Sequence, residues 1–251
     1  MTFALVGHRG AMAEAPENSL PSYRAAEQIG VDEVETDVRI SADGQLFMLH
    51  DATLDRVAAD PSGQGLGEVA ALVWSVISAV DIGGGERVPT LEQMYAATTR
   101  TVQLEIKALE AIDVLAEYLR DHPAEAGRTI LTSFSVEAMA TVSDLLPDIP
   151  RGVIVSAWTD AVDHDGGPEG LIKETGSVRI HSGWEGLTTE VVAGLHDAGV
   201  PVHGWPCRGR ADLRRALELG VDGTTSDDPR SVRGWLTDAA ADRVGPVSTD
   251  H

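Results

Sequence analysis

The chain has 251 residues, 43% of them hydrophobic and only 4% aromatic, with a formal charge of -21 at pH 7. That length fits one large α/β barrel of about 250 residues, with a core built mainly from Ala, Val, Leu and Ile. The acidity argues against broad nucleic-acid binding, which needs a basic footprint. The single cysteine, Cys207, excludes an internal disulfide, and no run approaches the roughly 18 apolar residues of a membrane span. Met1 leads into Phe3–Val6 with neither a basic segment nor a cleavage site, so a soluble, cytoplasmic protein is expected. An anionic ligand in so acidic a chain needs locally concentrated positive charge from Arg, Lys or a metal ion.

Taken in order, apolar runs predict strands at 3–8, 33–39, 46–50, 102–107, 129–133, 152–156, 177–181, 200–205 and 221–225. Helical patterns lie between most of them. The first is the stripe Leu20, Tyr23, Ala26, Ile29 with a stop at Gly30. Later stripes are Leu115/Leu119, Met139/Val142/Leu145/Leu146, Val191/Val192/Leu195 and Leu213/Ala216/Leu217. Such alternation implies βαβ units and a parallel sheet. Only Ser41–Gly44 separates the second and third strands, too short for a parallel crossover of a dozen or more residues. They must form an antiparallel hairpin closed by Asp43-Gly44. Eight parallel strands remain, which predicts a TIM (β/α)8 barrel with a β-hairpin after strand 2; a doubly wound sheet is the other arrangement the alternation allows.

Residues 54–89 interrupt this rhythm, with Ala59-Asp60-Pro61-Ser62-Gly63-Gln64-Gly65 and Gly83-Gly84-Gly85 bracketing a short helical pattern around Val69–Val80. An insertion of that length is expected to be functional, here as a cap that helps select the substrate. A single domain over 1–235 is expected, followed by a poorly ordered tail over 236–251.

Strand side chains alternate faces, so Glu35, Asp37 and Arg39 share one face and Val34, Thr36, Val38 and Ile40 the other. If the apolar set packs under helices, two carboxylates turn toward the barrel axis. They need a countercharge, which either Arg39 or a hard divalent cation supplies. A symmetric turn at 41–44 pairs Ile40 with Gln45 and therefore His50 with Glu35, on the same face. His8 ends the first strand beside them. Across the barrel, Glu105 and Lys107 share a face, and Lys107 is one of only two lysines, with Lys173. Lys107 can hold a phosphate oxygen as a point charge.

Gly7-His8-Arg9-Gly10, Pro16-Glu17-Asn18-Ser19, Glu35-Thr36-Asp37, Leu49-His50-Asp51, Pro89-Thr90-Leu91-Glu92 and Leu104-Glu105-Ile106-Lys107 resemble, in this order, the glycerophosphodiester phosphodiesterases. Thr132-Ser133-Phe134, Trp205, Gly220–Gly223 and Ser226–Pro229 extend the resemblance over roughly residues 3–230. The resemblance implies a TIM-type barrel that hydrolyses a small-molecule phosphodiester to a phosphomonoester and an alcohol. It implies His8 and His50 as the acid–base pair and Glu35, Asp37 and Glu105 as ligands of Mg2+ or Ca2+. Arg9 and Lys107 are implied at the phosphate, Trp205 at the pocket wall, and a cyclic phosphate as intermediate. Pro206-Cys207-Arg208 departs from the usual Thr-Val-Asn after the tryptophan, which leaves the alcohol end open. Asn18 either caps the first helix or shapes the site, and Trp184 either packs at the rim or lines the mouth. The alternatives to a glycerophosphodiesterase are a relative acting on lysophospholipids or another phosphodiester, and a catalytically silent anion-binding barrel.

Overall fold

A computed structural model describes residues 3–243. Nine strands and eight principal helices alternate in it: β1 (Ala4–Gly7), α1 (Leu20–Ile29), β2 (Glu33–Ile40), β3 (Leu46–Met48), α2 (Leu91–Ala97), β4 (Thr101–Ile106), α3 (Ile112–Asp121), β5 (Thr129–Ser133), α4 (Val136–Leu145), β6 (Arg151–Val155), α5 (Gly167–Thr175), β7 (Arg179–Gly183), α6 (Thr189–Asp197), β8 (Val202–Trp205), α7 (Arg210–Leu219), β9 (Gly223–Ser226) and α8 (Pro229–Arg243). The strands run β1-β9-β8-β7-β6-β5-β4-β2, and a further β1–β2 pairing closes the ring. All eight ring pairings are parallel. The expected (β/α)8 barrel is therefore the fold. Among the described residues no helix is long and apolar enough to cross a membrane.

β3 lies outside the ring, antiparallel to β2. β2 outlasts β1, whose pairing ends at Gly7↔Val34, and β3 takes up the exposed edge at Val38, Arg39 and Ile40. This satisfies backbone groups that a long strand would otherwise leave bare. The register differs by one residue from the symmetric turn expected at 41–44: Ile40 pairs with Leu46 and Val38 with Met48. The loop is three residues, because Ser41 pairs with Gln45 and Gly44 bends back to Ser41 at φ 87. A left-handed glycine closing a three-residue loop makes a bulge that shifts the partner strand by one. That register would put His50 opposite Thr36, on the wrong face. The chain instead leaves β3 after Met48, and Arg39 Nε and Nη2 donate to His50 O at 3.1 and 2.8 Å. Arg39 thus anchors the returning segment and does not neutralise the carboxylates.

The outward faces of the strands meet the helices. Val34, Val38, Val102 and Leu104 pack with Tyr23 and Ala26 of α1 and Leu115 and Leu119 of α3 in one cluster, and Val153, Val155, Ile180 and Val202 anchor a second. α1 starts at Ser19, whose side chain accepts from Ser22 N, and ends on left-handed Gly30. Because Ser19 is the cap, Asn18 is free for the site. Trp184 packs at the rim, donating from Nε1 to Pro206 O at 2.7 Å and lying over Gly204, where a Cβ would fall 2.1 Å from its ring. Helix α8 continues to Arg243, so the tail expected from 236 begins inside a helix; residues 244–251 lie outside the described residues.

The barrel's lower interior is polar. Arg179 donates to both oxygens of Glu33 at 2.9 and 2.8 Å, and its Nε donates to His181 Nε2 at 3.0 Å. Gln103 also bonds Glu33. Both partners are largely buried, and removing one of them strands a charge. Arg179→Met is therefore expected to cost about 3–5 kcal/mol in urea unfolding, with the mutated side chain outside the reaction chemistry.

Candidate active site

The site is assembled at the C-terminal ends of the strands, where loops of a parallel barrel converge. A cavity of about 310 Å³ opens there, lined among others by His8, Arg9, Glu35, His50, Glu105, Lys107 and Trp205. Seven of the eight residues expected at the site line it; the eighth, Asp37, lies buried directly beneath.

His8 follows β1, its backbone N donating to Ser226 O at 2.9 Å. Its Nδ1 is 2.5 Å from Asp227 Oδ1 and its Nε2 3.8 Å from Glu35 Oε2. Burial works against protonation, but the Asp227 hydrogen bond and the Glu35 charge outweigh it and raise the His8 pKa. His50 Nδ1 is 2.6 Å from Asp51 Oδ1. Burial dominates there, and with the charges of Lys107 and Arg9 it leaves His50 below its ordinary value despite Asp37 and Asp51. Each histidine thus has its own carboxylate, and their pKa values are pushed apart. Neither Asp51 nor Asp227 was singled out from sequence. For Asp51 the signal is adjacency, since it directly follows His50; Asp227 belongs to the Ser226–Pro229 motif, which by itself does not point to His8.

Glu35, Asp37 and Glu105 are all buried and offer oxygens within 4.8 Å of one another. Burial, then the Asp37 charge, pushes Glu35 up to about 7. Glu105 is raised by burial and Asp37 in spite of Lys107. Asp37 is lowered, because Lys107, Arg9 and His50 overcome its burial. Three carboxylates this close favour a cation among them. Asp37 Oδ1 is buried and accepts no hydrogen bond; Lys107 Nζ stands 3.2 Å away as an ion pair without hydrogen-bond geometry. That orphaned acceptor, together with an all-oxygen donor set, fits a hard divalent ion. Asn18 orients the other oxygen, donating from Nδ2 to Asp37 Oδ2 at 2.7 Å. Tyr23 and Thr36 fix Asn18 in turn.

The positive charge that an anion requires is concentrated here. Lys107 Nζ is 2.6 Å from Glu105 Oε1, and Arg9 and Arg208 also line the cavity. Arg9 adopts φ 50 and Asn18 φ 53, the two non-glycine residues of left-handed backbone among the described residues. Such strain persists where surroundings over-determine it. At Arg9 they do: its N donates to Glu35 Oε2 at 2.9 Å, and its Nη1 donates to Glu17 Oε1 at 2.8 Å. Trp205 stands edge-on to Phe134, with ring centroids 5.6 Å apart, and Lys107 lies 5.7 Å over the Phe134 ring. In sequence Phe134 belongs to the Thr132-Ser133-Phe134 motif, and Arg208 to the segment after Trp205 that departs from the family pattern. No residue of 54–89 lines the cavity. That segment folds around its own core of Leu54, Val69, Ile77 and Val80, against Phe47 and Leu49.

Fold and site together define a (β/α)8-barrel protein whose mouth joins a metal-competent acidic cluster to two carboxylate-backed histidines. Over residues 8–231 the chain matches the Glycerophosphoryl diester phosphodiesterase family. The chain belongs to that family, which is one of enzymes. It is similar to a glycerophosphodiester phosphodiesterase of Caldanaerobacter subterraneus subsp. tengcongensis, 26% identical over 252 residues, covering 92% of this chain and 97% of the relative. A crystal structure of a protein from Silicibacter pomeroyi DSS-3, described under the same family name, superposes with a TM-score of 0.86 at 25% identity, covering 95% and 94% of the two chains. A phosphodiesterase from Oleispira antarctica, solved with the product sn-glycerol-3-phosphate, shares the fold with a TM-score of 0.83 at 24% identity, covering 93% and 96%.

Proposed function

We propose that this enzyme hydrolyses glycerophosphodiesters to glycerol 3-phosphate and an alcohol, using a divalent ion, Mg2+ or Ca2+, held by Glu35, Asp37 and Glu105. The observation that carries the reading is the pair of histidines, each backed by its own carboxylate, facing one cavity with that acidic cluster. An anion-binding barrel has no need of two such groups. The product-bound Oleispira structure supports the same substrate class.

In the first step the glycerol hydroxyl next to the phosphoryl group attacks phosphorus and gives its proton to His50. The bond to the leaving alcohol breaks, and His8 protonates the departing oxygen. In the second, water opens the cyclic phosphate, giving its proton to His8 while His50 returns one to the glycerol oxygen. An ion held by Glu35, Asp37 and Glu105 would supply positive charge to the phosphoryl group. Arg9 and Lys107 hold the phosphoryl oxygens, and Trp205 walls the alcohol side.

The opposed pKa directions, raised at His8 and lowered at His50, support this order, a proton holder paired with a proton acceptor. His50 must be unprotonated to accept, so kcat is expected to rise as pH climbs through its lowered pKa. His8 must be protonated to donate, so kcat is expected to fall as pH climbs through its raised pKa. Asp227→Asn removes a group that holds His8 up. It is expected to move the alkaline limb to lower pH and leave the acidic limb in place. An unmoved alkaline limb would remove His8 from the donor role.

A second reading, a lysophospholipid as substrate, is favoured by one feature. A cleft of about 250 Å³, lined by Val136, Val155 and Leu171 and also by Ser156, Asp160 and His164, shares Phe134 and Ile154 with the cavity and offers a partly apolar path for an acyl chain. Turnover of glycerophosphocholine, glycerophosphoethanolamine and lysophosphatidylcholine side by side separates the two readings. Preference for the water-soluble diesters supports the first, and preference for the lysolipid the second.

A further inference from the structure

The insertion lines none of the cavity, yet one of its side chains reaches both halves of the site. Arg56 follows Leu54, which is buried in the insertion's own core. Its guanidinium is forked between two carboxylates. Nη1 and Nη2 donate to Glu17 Oε2 and Oε1 at 2.6 and 2.8 Å, and Nε donates to Asp51 Oδ2 at 2.5 Å. Each carboxylate also contacts a residue of the site. Glu17 Oε1 accepts from Arg9 Nη1 at 2.8 Å, and Asp51 Oδ1 is 2.6 Å from His50 Nδ1.

The result is a continuous chain, Arg9–Glu17–Arg56–Asp51–His50. Glu17 lies in the β1–α1 loop and Asp51 beyond β3, two segments separate in sequence, and the guanidinium is the link across them. A planar fork suits this task better than a lysine, because it presents donors at fixed angles to two acceptors at once. The side chain is 48% exposed, so its charge is screened and its contribution is geometric. Burial pushes the Glu17 carboxyl up, but the Arg56 hydrogen bond and the charges of Arg9 and Arg56 hold it below its ordinary value. Burial likewise opposes ionisation of Asp51, and the Arg56 and His50 hydrogen bonds bring it to about 2. Both carboxylates therefore remain pure acceptors at neutral pH. Asp51 then keeps a proton on His50 Nδ1 and leaves Nε2 as the atom able to take one.

We propose that Arg56 is a positioning residue that holds His50 and Arg9 in one arrangement by clamping Asp51 to Glu17, so that the insertion serves the site as a strut and not as a lid. The inference rests on the roles given to His50 and Arg9 above.

The test compares Arg56→Met, Arg56→Lys, Glu17→Gln and Asp51→Asn with His50→Ala as reference, all with Mg2+ and glycerophosphocholine. Arg56→Met is expected to lower kcat by about 10- to 100-fold, the cost of a small misplacement of a reacting group, and to raise KM as well. Asp51→Asn is expected to reproduce the kcat loss and Glu17→Gln the KM rise. The Arg56→Met/Asp51→Asn double variant is expected to be no slower than its slower parent, because both changes break one linkage. Arg56→Lys should recover part of the loss, and added guanidinium should restore turnover to Arg56→Met alone. Wild-type kcat and KM in Arg56→Met beside a dead His50→Ala would overturn the inference by itself. So would additive losses in the double variant. Full turnover in His50→Ala would overturn the catalytic reading and the inference with it. If Arg56→Met does not fold, the split between Asp51→Asn and Glu17→Gln decides: separate effects on kcat and KM support the strut, and two silent variants overturn it.

Discussion

His8→Ala and His50→Ala are each expected to lower kcat by about 10² to 10⁴, the usual worth of a positioned acid or base. Both side chains border the cavity, with 27% and 34% of their surface exposed. Their truncation opens space to solvent and creates no void in the core, so the melting temperature is expected to hold and the loss to be chemical. The two variants should nevertheless differ. A leaving group that departs without a proton no longer needs a donor. The p-nitrophenyl ester of glycerol 3-phosphate is therefore expected to recover much of the loss in His8→Ala and little in His50→Ala. Equal recovery in both would contradict the assigned order. Wild-type kcat in either variant would remove that histidine from the mechanism.

Asp37→Asn is expected to be at least as damaging, with turnover down by about 10³-fold or more, since several kcal/mol of phosphoryl charge stabilisation rest on the ion site. Asp37 is fully buried and sits at the centre of the site's electrostatics. Arg9 Nε lies 3.5 Å from Oδ2, Lys107 Nζ 3.2 Å from Oδ1, and Asn18 donates to Oδ2. An amide there removes one negative charge from between two cations and from the cluster that would hold a third. It also turns an acceptor pair into one acceptor and one donor, so either Asn18 or an ion loses its oxygen. Calorimetric titration with Mg2+ or Ca2+ is expected to show binding by the native protein and none by Asp37→Asn. Equal binding by both would place the ion elsewhere.

Much of this site could be read from the sequence because strand periodicity is strict. Once Val34, Thr36 and Val38 are outward, Glu35 must face the barrel interior, and Glu105 follows by the same rule. The count of eight parallel strands follows from an impossibility, namely that four residues cannot make a parallel crossover, while the β1–β2 pairing that closes the barrel is seen only in the structure. The hairpin register was not legible, because one residue of difference turned on whether Gly44 took a left-handed conformation inside the turn or the strands met symmetrically around it. His50 still arrives at the site, by a bend held by Arg39 and not by a strand rung.

What remained hidden depends on long-range geometry. Asp227 is 219 residues from His8, and Arg56 is 39 from Glu17, so no local pattern predicts either contact. Glu33 and Arg179 read as ordinary strand residues, yet they cross the barrel to form its polar floor. The insertion's length signalled a function but not its direction. A flanking segment and a cap look alike in sequence; in the structure Leu54, Ile77 and Val80 pack in a core of their own, and no residue of the segment lines the cavity.

The proposed cleavage of glycerophosphodiesters needs both a divalent ion in the Glu35–Asp37–Glu105 cluster and the His8–His50 pair. Its most direct test is the release of glycerol 3-phosphate from glycerophosphocholine or glycerophosphoethanolamine by chelated protein, before and after Mg2+ or Ca2+ is returned. The expected result is no release without the ion and restored release with it. Release that persists through chelation would remove the ion from the reaction, and no release with either ion would leave the barrel as an anion-binding protein.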